Sequence, residues 1–222
     1  MTLARTGIVG LLCGVLGTAA LGAADFSSYR GLRFGMSIAA AETQAGTNPS
    51  GPKVIHRRPA AIQQIDWRPA SATQTDPVQN GVLQFVDGQL SRIVVTYDRN
   101  KVEGMTAEDM IEVLSATYGA ASKPDVEIAY RSLYGETAKV LARWENPEYA
   151  YDLVRTGDQS SFAVILYSKR LDALAQAAIL EAVRLDKAEE PQRELELQAR
   201  RDEVERLKLE KARSVNKPNF RP

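Results

Sequence analysis

Residues 98–109, with the sequence DRNKVEGMTAED, carry oxygen side chains at spacings that suit a calcium-binding loop. Asp98 and Asn100 occupy the first and third positions, and Asp109 occupies the twelfth. An EF-hand loop also needs an oxygen side chain at position five, a glycine at position six and usually a glutamate at position twelve. Here a valine stands at five and a glutamate at six, so we interpret the stretch as the start of a helix.

The helix-start interpretation rests on a repeated pattern. Thr106, with Asp109 three residues later, has the form of a capping box. A tripeptide similar to Gly104-Met105-Thr106 occurs 69 residues earlier as Gly35-Met36-Ser37, where no acidic ligands are present. The pattern predicts a turn glycine, an inward methionine and a capping hydroxyl at the start of two helices.

His56 is the only histidine, so a histidine metal cluster or a Ser-His-Asp site would have to use it. Arg57 and Arg58 follow directly, and their positive charges repel a metal cation. We therefore predict a solvated strand residue here, and no cofactor or metal. The sequence contains no nucleophile elbow and no phosphate-binding glycine loop.

The segment HRRPAAIQQIDWR, residues 56–68, carries the candidate binding residues. His56, Arg57, Arg58 and Arg68 lie near Trp67 in the sequence, and two adjacent strands would place them on one surface. Such a surface suits an anionic polymer, a lipid head group or an acidic partner loop. The alternative is an edge strand protected by its charges from aggregation.

Two further sets of side chains leave other functions open. Carboxylates at helix starts and turns permit a two-carboxylate hydrolase of envelope polysaccharide, although acids are expected at such places for the helix dipole alone; these are Glu108, Asp109, Glu112, Glu145, Glu148 and Asp152. Aromatic residues of the predicted sheet permit a carrier of a small ligand or lipid; these are Tyr130, Tyr134, Tyr149 and Tyr151.

The first 24 residues predict export. Arg5 precedes an apolar run from Gly7 to Leu21, and small residues follow it, which is the pattern of a cleaved signal peptide. The alternative is a lipoprotein acylated at Cys13, but the two residues before that cysteine are bulky leucines. We expect a periplasmic or secreted protein with no membrane span after cleavage.

Composition excludes several classes of function. Cys13 is the only cysteine, so cleavage leaves no disulfide or thiolate chemistry. The whole chain has 28 basic and 28 acidic residues. A balanced charge argues against binding to nucleic acid or to anionic membranes in general.

The order of elements predicts an α+β fold of tandem helix-plus-antiparallel-sheet repeats with a long C-terminal helix. Asp87-Gly88 between two apolar runs indicates a tight hairpin, and SSFAVILYSK indicates a central strand. The predicted repeats span residues 25–103 and 104–190. The second includes a docking helix with Leu171, Leu174, Ala178, Ala182 and Leu185 on one face.

The last segment, residues 191–222, is about half charged over much of its length. We predict that Pro191 interrupts the helix, that an exposed charged helix follows, and that the end is disordered. Leu197, Val204 and Leu207 form a thin apolar stripe, which is weak support for a coiled coil.

The two Gly-Met-Ser/Thr motifs and the element order resemble the β-lactamase-inhibitor-protein-like fold. They are also similar to the small outer-membrane-assembly lipoproteins of the SmpA/BamE type, and YRGLRFGMS resembles the start of other exported bacterial proteins. The first resemblance implies a sheet that binds a protein rather than catalysis. We therefore expect a non-enzymatic exported protein that binds an unidentified protein partner in the cell envelope.

Overall fold

The computed structural model describes residues 24–46, 51–69, 76–122, 129–131, 137–155, 161–219 and 221. The predicted signal peptide lies outside the described residues, except for Ala24. The described part of the chain is an α+β structure with one large antiparallel sheet, one small two-stranded sheet and three α-helices. None of those helices has a stretch that is both long and apolar enough to cross a bilayer.

The elements follow one another along the chain in two similar series. The first series is β1 (Ser28–Tyr29), β2 (Leu32–Arg33), α1 (Ile38–Ala45), β3 (Lys53–His56), β4 (Ile62–Trp67), β5 (Val78–Val86) and β6 (Gln89–Tyr97). The second is α2 (Ala107–Tyr118), β7 (Ala129–Arg131), β8 (Thr137–Glu145), β9 (Tyr149–Arg155), β10 (Phe162–Ser168) and α3 (Lys169–Asn219). A short 3-10 helix, Arg99–Lys101, joins the two series.

The large sheet has the order β3-β4-β5-β6-β10-β9-β8-β7. Each series therefore contributes a four-stranded antiparallel meander, and the two meanders join where β6 pairs with β10. This arrangement confirms the predicted tandem repeats. It also confirms that the apolar stretch now seen as β10 is a central strand, because β10 lies between β6 and β9.

Local sequence signals account for the turns and helix starts. Asp87 and Gly88 have φ values of 47° and 75°, as a tight hairpin between β5 and β6 requires. The Ser37 side chain accepts a hydrogen bond from the Ala40 amide at the start of α1. Thr106 and Asp109 form the predicted capping box at the start of α2.

One face of the sheet carries the aromatic core beneath α1, α2 and the β1–β2 hairpin. Trp144 and Tyr151 are among its largest fully buried side chains. The Tyr151 ring meets Phe26 and Tyr118 edge to face, with centroids 5.0 Å apart in both cases. Its hydroxyl donates a 2.9 Å hydrogen bond to the Ser28 carbonyl, which ties the hairpin to the sheet.

The helix α3 is continuous from Lys169 to Asn219, so the predicted interruption at Pro191 is wrong. A proline inside a helix removes one backbone hydrogen bond and crowds the preceding turn. Here Arg193 donates a 2.9 Å hydrogen bond to the Asp186 carbonyl across the proline. The predicted disordered end is likewise helical as far as Asn219.

Gly81→Ala should destabilise the fold, because β5 has no room for a side chain at that position. A methyl group on Gly81 would lie 2.5 Å from Cε3 of Trp67 and 2.9 Å from the carbonyl oxygen of Val94. We expect the free energy of unfolding to fall by about 1–3 kcal/mol in urea denaturation. Gln79→Ala, at an exposed position of the same strand, should change it by less than about 0.5 kcal/mol; equal effects would contradict the packing explanation.

Candidate functional site

The predicted binding residues lie at or just beyond the ends of two paired strands, and they form two groups at opposite ends of β4. β3 and β4 pair antiparallel, and His56 lies opposite Ile62. Trp67 is five residues farther along β4, about 17 Å away at the usual rise per residue. The structure therefore does not bring Trp67 and Arg68 together with His56, Arg57 and Arg58.

The two groups also differ in environment. Trp67 is only 4% exposed, and its ring lies edge to face with Tyr29 at a centroid distance of 6.3 Å. It is therefore a core residue, of which only a small part reaches the surface. Arg68 is exposed beside a cleft of approximately 630 Å³, whose lining includes Gly46 and Asn80. A binding role for these five residues stays a prediction.

Arg58 has a specific partner within the chain. Its Nη1 donates a 2.7 Å hydrogen bond to Oε1 of Glu189 on α3, and its Nη2 contacts the other carboxylate oxygen. Asp186 lies 3.9 Å from the same guanidinium and 3.0 Å from that of Arg193. The hydrogen bond from Arg58 holds the pKa of Glu189 below its ordinary value. Arg58 thus ties α3 to the end of β3.

The first turns of α3 pack on the opposite face of the sheet from α1 and α2. Leu171, Ala175 and Ala178 are buried in one cluster with Ile62 of β4 and Val86 of β5. The prediction of a docking helix is confirmed for these first turns of α3. Ala175 occupies the contact that the apolar periodicity assigned to its neighbour, Leu174, which is 52% exposed.

A buried ion pair fixes the start of α3. Arg92, in the middle of β6, is 5% exposed, and its Nη2 lies 2.5 Å from Oδ1 of Asp172 in the first turn of the helix. Burial raises the pKa of Asp172, while the positive charge of Arg92 acts in the opposite direction. Sequence reasoning missed this pair, although an arginine in the middle of the apolar strand LSRIVVTY was a usable signal.

A second ion pair adjoins the first. Arg143 of β8 donates two hydrogen bonds, of 2.6 and 2.8 Å, to Asp152 of β9. The Tyr167 hydroxyl donates to the same carboxylate at 3.2 Å, and the Arg92 guanidinium lies 5.7 Å from the centre of the Tyr167 ring. Asp152, one of the hydrolase candidates, therefore links three neighbouring strands, β8, β9 and β10.

Two other candidate acids also have structural contacts. Asp109 accepts the Thr106 amide at 2.8 Å, and Glu145 pairs with Lys169 at 2.6 Å. In the suspected calcium loop, Asp98 accepts the Asn100 amide at 2.8 Å. No group of three or more His, Cys, Asp or Glu side chains that could hold a metal ion occurs within the described ranges.

Beyond Glu189, α3 leaves the sheet. Residues 190–219, which we call the arm, are exposed along their whole length. At 1.5 Å per residue the arm extends about 45 Å. Its large apolar side chains are each between 51% and 68% exposed; they are Leu195, Leu197, Val204, Leu207, Leu209 and Val215.

Comparison of the chain with protein-family models, with curated proteins and with solved structures gives no match. The arm is exposed throughout, and none of its residues belongs to the buried clusters of the described part of the chain. We take it, with the Arg58–Glu189 contact at its base, as the candidate functional site.

Removing either member of the Arg92–Asp172 pair should destabilise the protein strongly. Asp172→Leu leaves a buried guanidinium facing an apolar side chain, and Arg92→Met leaves a buried carboxylate. We expect each to lower the free energy of unfolding by about 3–5 kcal/mol in chemical denaturation.

The double variant should lower the free energy of unfolding by less than either single change does, because neither charge then remains buried. The difference in a double-mutant cycle measures the coupling directly. Additive costs would show that the two side chains act independently, contrary to the geometry described above.

Arg58→Ala should loosen the base of the arm without unfolding the sheet. The contact is exposed, so its effect is local, and amide hydrogen exchange of residues 186–190 should become a few-fold faster. Arg57→Ala, at the neighbouring exposed position, is the matched control and should leave that exchange unchanged. Unaltered exchange in Arg58→Ala would mean that the contact does not restrain α3.

Proposed function

We propose that this protein is a non-enzymatic exported protein that binds a protein partner in the bacterial cell envelope, and that the arm is its contact surface. The observation that supports the proposal is that the arm is a long helix exposed along its whole length. Residues 190–219 are exposed throughout, whereas most of the stability of helices in proteins comes from packing of one face. A partner helix or groove would supply that face.

The surface chemistry of the arm favours a protein partner. Apolar side chains, exposed by half or more, alternate with charges of both signs, and Arg206 lies 3.7 Å from Glu210 one turn later. A nucleic acid or an anionic membrane selects a strongly basic surface, whereas the arm is nearly balanced. Helix-on-helix recognition fits this composition.

The contacts of three of the other candidate side chains favour binding over the two alternative functions. The carboxylates of Asp109 and Asp152 are occupied in a helix cap and in an ion pair. Tyr151, a candidate for a ligand-binding aromatic face, is fully buried beneath Phe26 and Tyr118. A hydrolase or a lipid carrier would need such groups to be open to a substrate or ligand.

The proposed resemblance to the β-lactamase-inhibitor-protein-like fold also implies binding. In this chain, however, the aromatic face of the sheet lies under α1, α2 and the β1–β2 hairpin. The proposal therefore assigns the contact to the arm rather than to that face.

Deleting the arm should abolish partner binding and leave the folded body intact. A tagged full-length chain and a tagged chain ending at Glu190 are purified from envelopes that also contain an untagged copy. We expect a protein, either another envelope component or the untagged copy, to accompany only the full-length chain.

The thermal unfolding midpoint of the two forms is the control, and it should be nearly equal because the deleted residues make no contact with the core. A partner retained by the shortened chain would move the binding surface to the sheet. Capture by neither form would contradict the proposed function.

A further inference from the structure

The apolar side chains of the arm are arranged almost symmetrically about its midpoint. Leu197, Val204, Leu207 and Val215 fall within an arc of about 80° on one side of the helix, at 100° per residue. Their separations are 7, 3 and 8 residues, so the order is nearly the same when read in reverse. We call these four residues the stripe.

The charges of the arm are divided at the same midpoint. Residues 190–205 contain six acidic and three basic side chains, a net charge of −3. Residues 206–219 contain one acidic and five basic side chains, a net charge of +4. A second helix of the same sequence is therefore complementary when it runs antiparallel, and repulsive when it runs parallel.

We infer that the partner of the arm is a second copy of this chain, paired antiparallel along the stripe. This inference rests on the proposed function, because it names the partner of the same surface. Antiparallel pairing about a point between Glu205 and Arg206 places Val204 opposite Leu207 and brings Leu197 to within one residue of the position opposite Val215. Each acidic half then faces a basic half, twice in the dimer.

The length of the arm also fits this pairing. In that alignment Asn219 of one copy lies opposite Gln192 or Arg193 of the other. The helix of each copy therefore ends about one turn before Glu189, where Arg58 ties α3 to the sheet. Two copies can pair along nearly the whole arm without either helix meeting the other sheet.

The strength of the pairing should be moderate and sensitive to salt. Only four apolar side chains from each copy meet, which is fewer than in a stable coiled coil of four heptads. Complementary charges of exposed side chains contribute at low ionic strength and are screened as salt is added. We therefore expect a monomer–dimer equilibrium in the micromolar range that shifts toward monomer at high salt.

Sedimentation equilibrium tests the pairing. The sample is the full-length chain, purified after export from the cells that produce it. The wild-type chain should associate to a dimer, and Val204→Glu with Leu207→Glu should weaken association at least tenfold. Leu195→Glu with Leu209→Glu is the matched control, because those leucines lie on the opposite side of the helix and are similarly exposed. A wild-type chain that stays monomeric, or equal losses in both variants, would overturn the inference.

Disulfide formation tests the orientation, in a background of Cys13→Ser that removes the only native cysteine. A mixture of Leu197→Cys chains and Val215→Cys chains should give the mixed disulfide dimer, and neither chain alone should cross-link efficiently. Efficient cross-linking of Leu197→Cys with itself would indicate parallel pairing and overturn the inference.

The outcomes also separate this inference from the proposed function. A monomeric chain whose arm still captures another envelope protein overturns only the self-pairing. A monomeric chain whose arm captures nothing contradicts both.

Discussion

The buried ion pair between Arg92 and Asp172 is the contact on which the rest of the structure depends. It joins the middle of β6 to the first turn of α3, where burial makes an uncompensated charge of either sign costly. The pair therefore fixes where the helix begins on the sheet. Packing of Leu171 and Ala175 nearby then fixes its direction, and a continuous helix carries that direction into the arm.

The two halves of the sheet determine where the Arg92–Asp172 ion pair lies. Two four-stranded meanders meet at β6 and β10, so the ion pair lies at the junction of the repeats rather than within one of them. The neighbouring Arg143–Asp152 pair and the Tyr167 hydroxyl extend the polar contacts across β8, β9 and β10. One face of the sheet thus holds the aromatic core, and the other combines paired charges with the base of α3.

The sequence predicted the features that depend on neighbouring residues. Asp87-Gly88 specifies its hairpin and Thr106–Asp109 its helix cap within a few residues, so local patterns were sufficient. The ion pair joins residues 80 positions apart, and the Arg58–Glu189 contact joins residues 131 apart. Pairing across such separations is decided by the sheet order, which no local pattern contains. For the same reason, the sequence alone grouped Trp67 with His56, although they lie at opposite ends of paired strands.

The central claim is that the arm is a contact surface for protein, and photo-cross-linking in living cells tests it most directly. A photoreactive amino acid replaces Val204 on the stripe in one full-length chain and Leu209 on the opposite side of the helix in another. The account predicts an adduct with a protein from position 204 and little or none from position 209. Equal labelling from both positions, or no protein adduct from either, would contradict it.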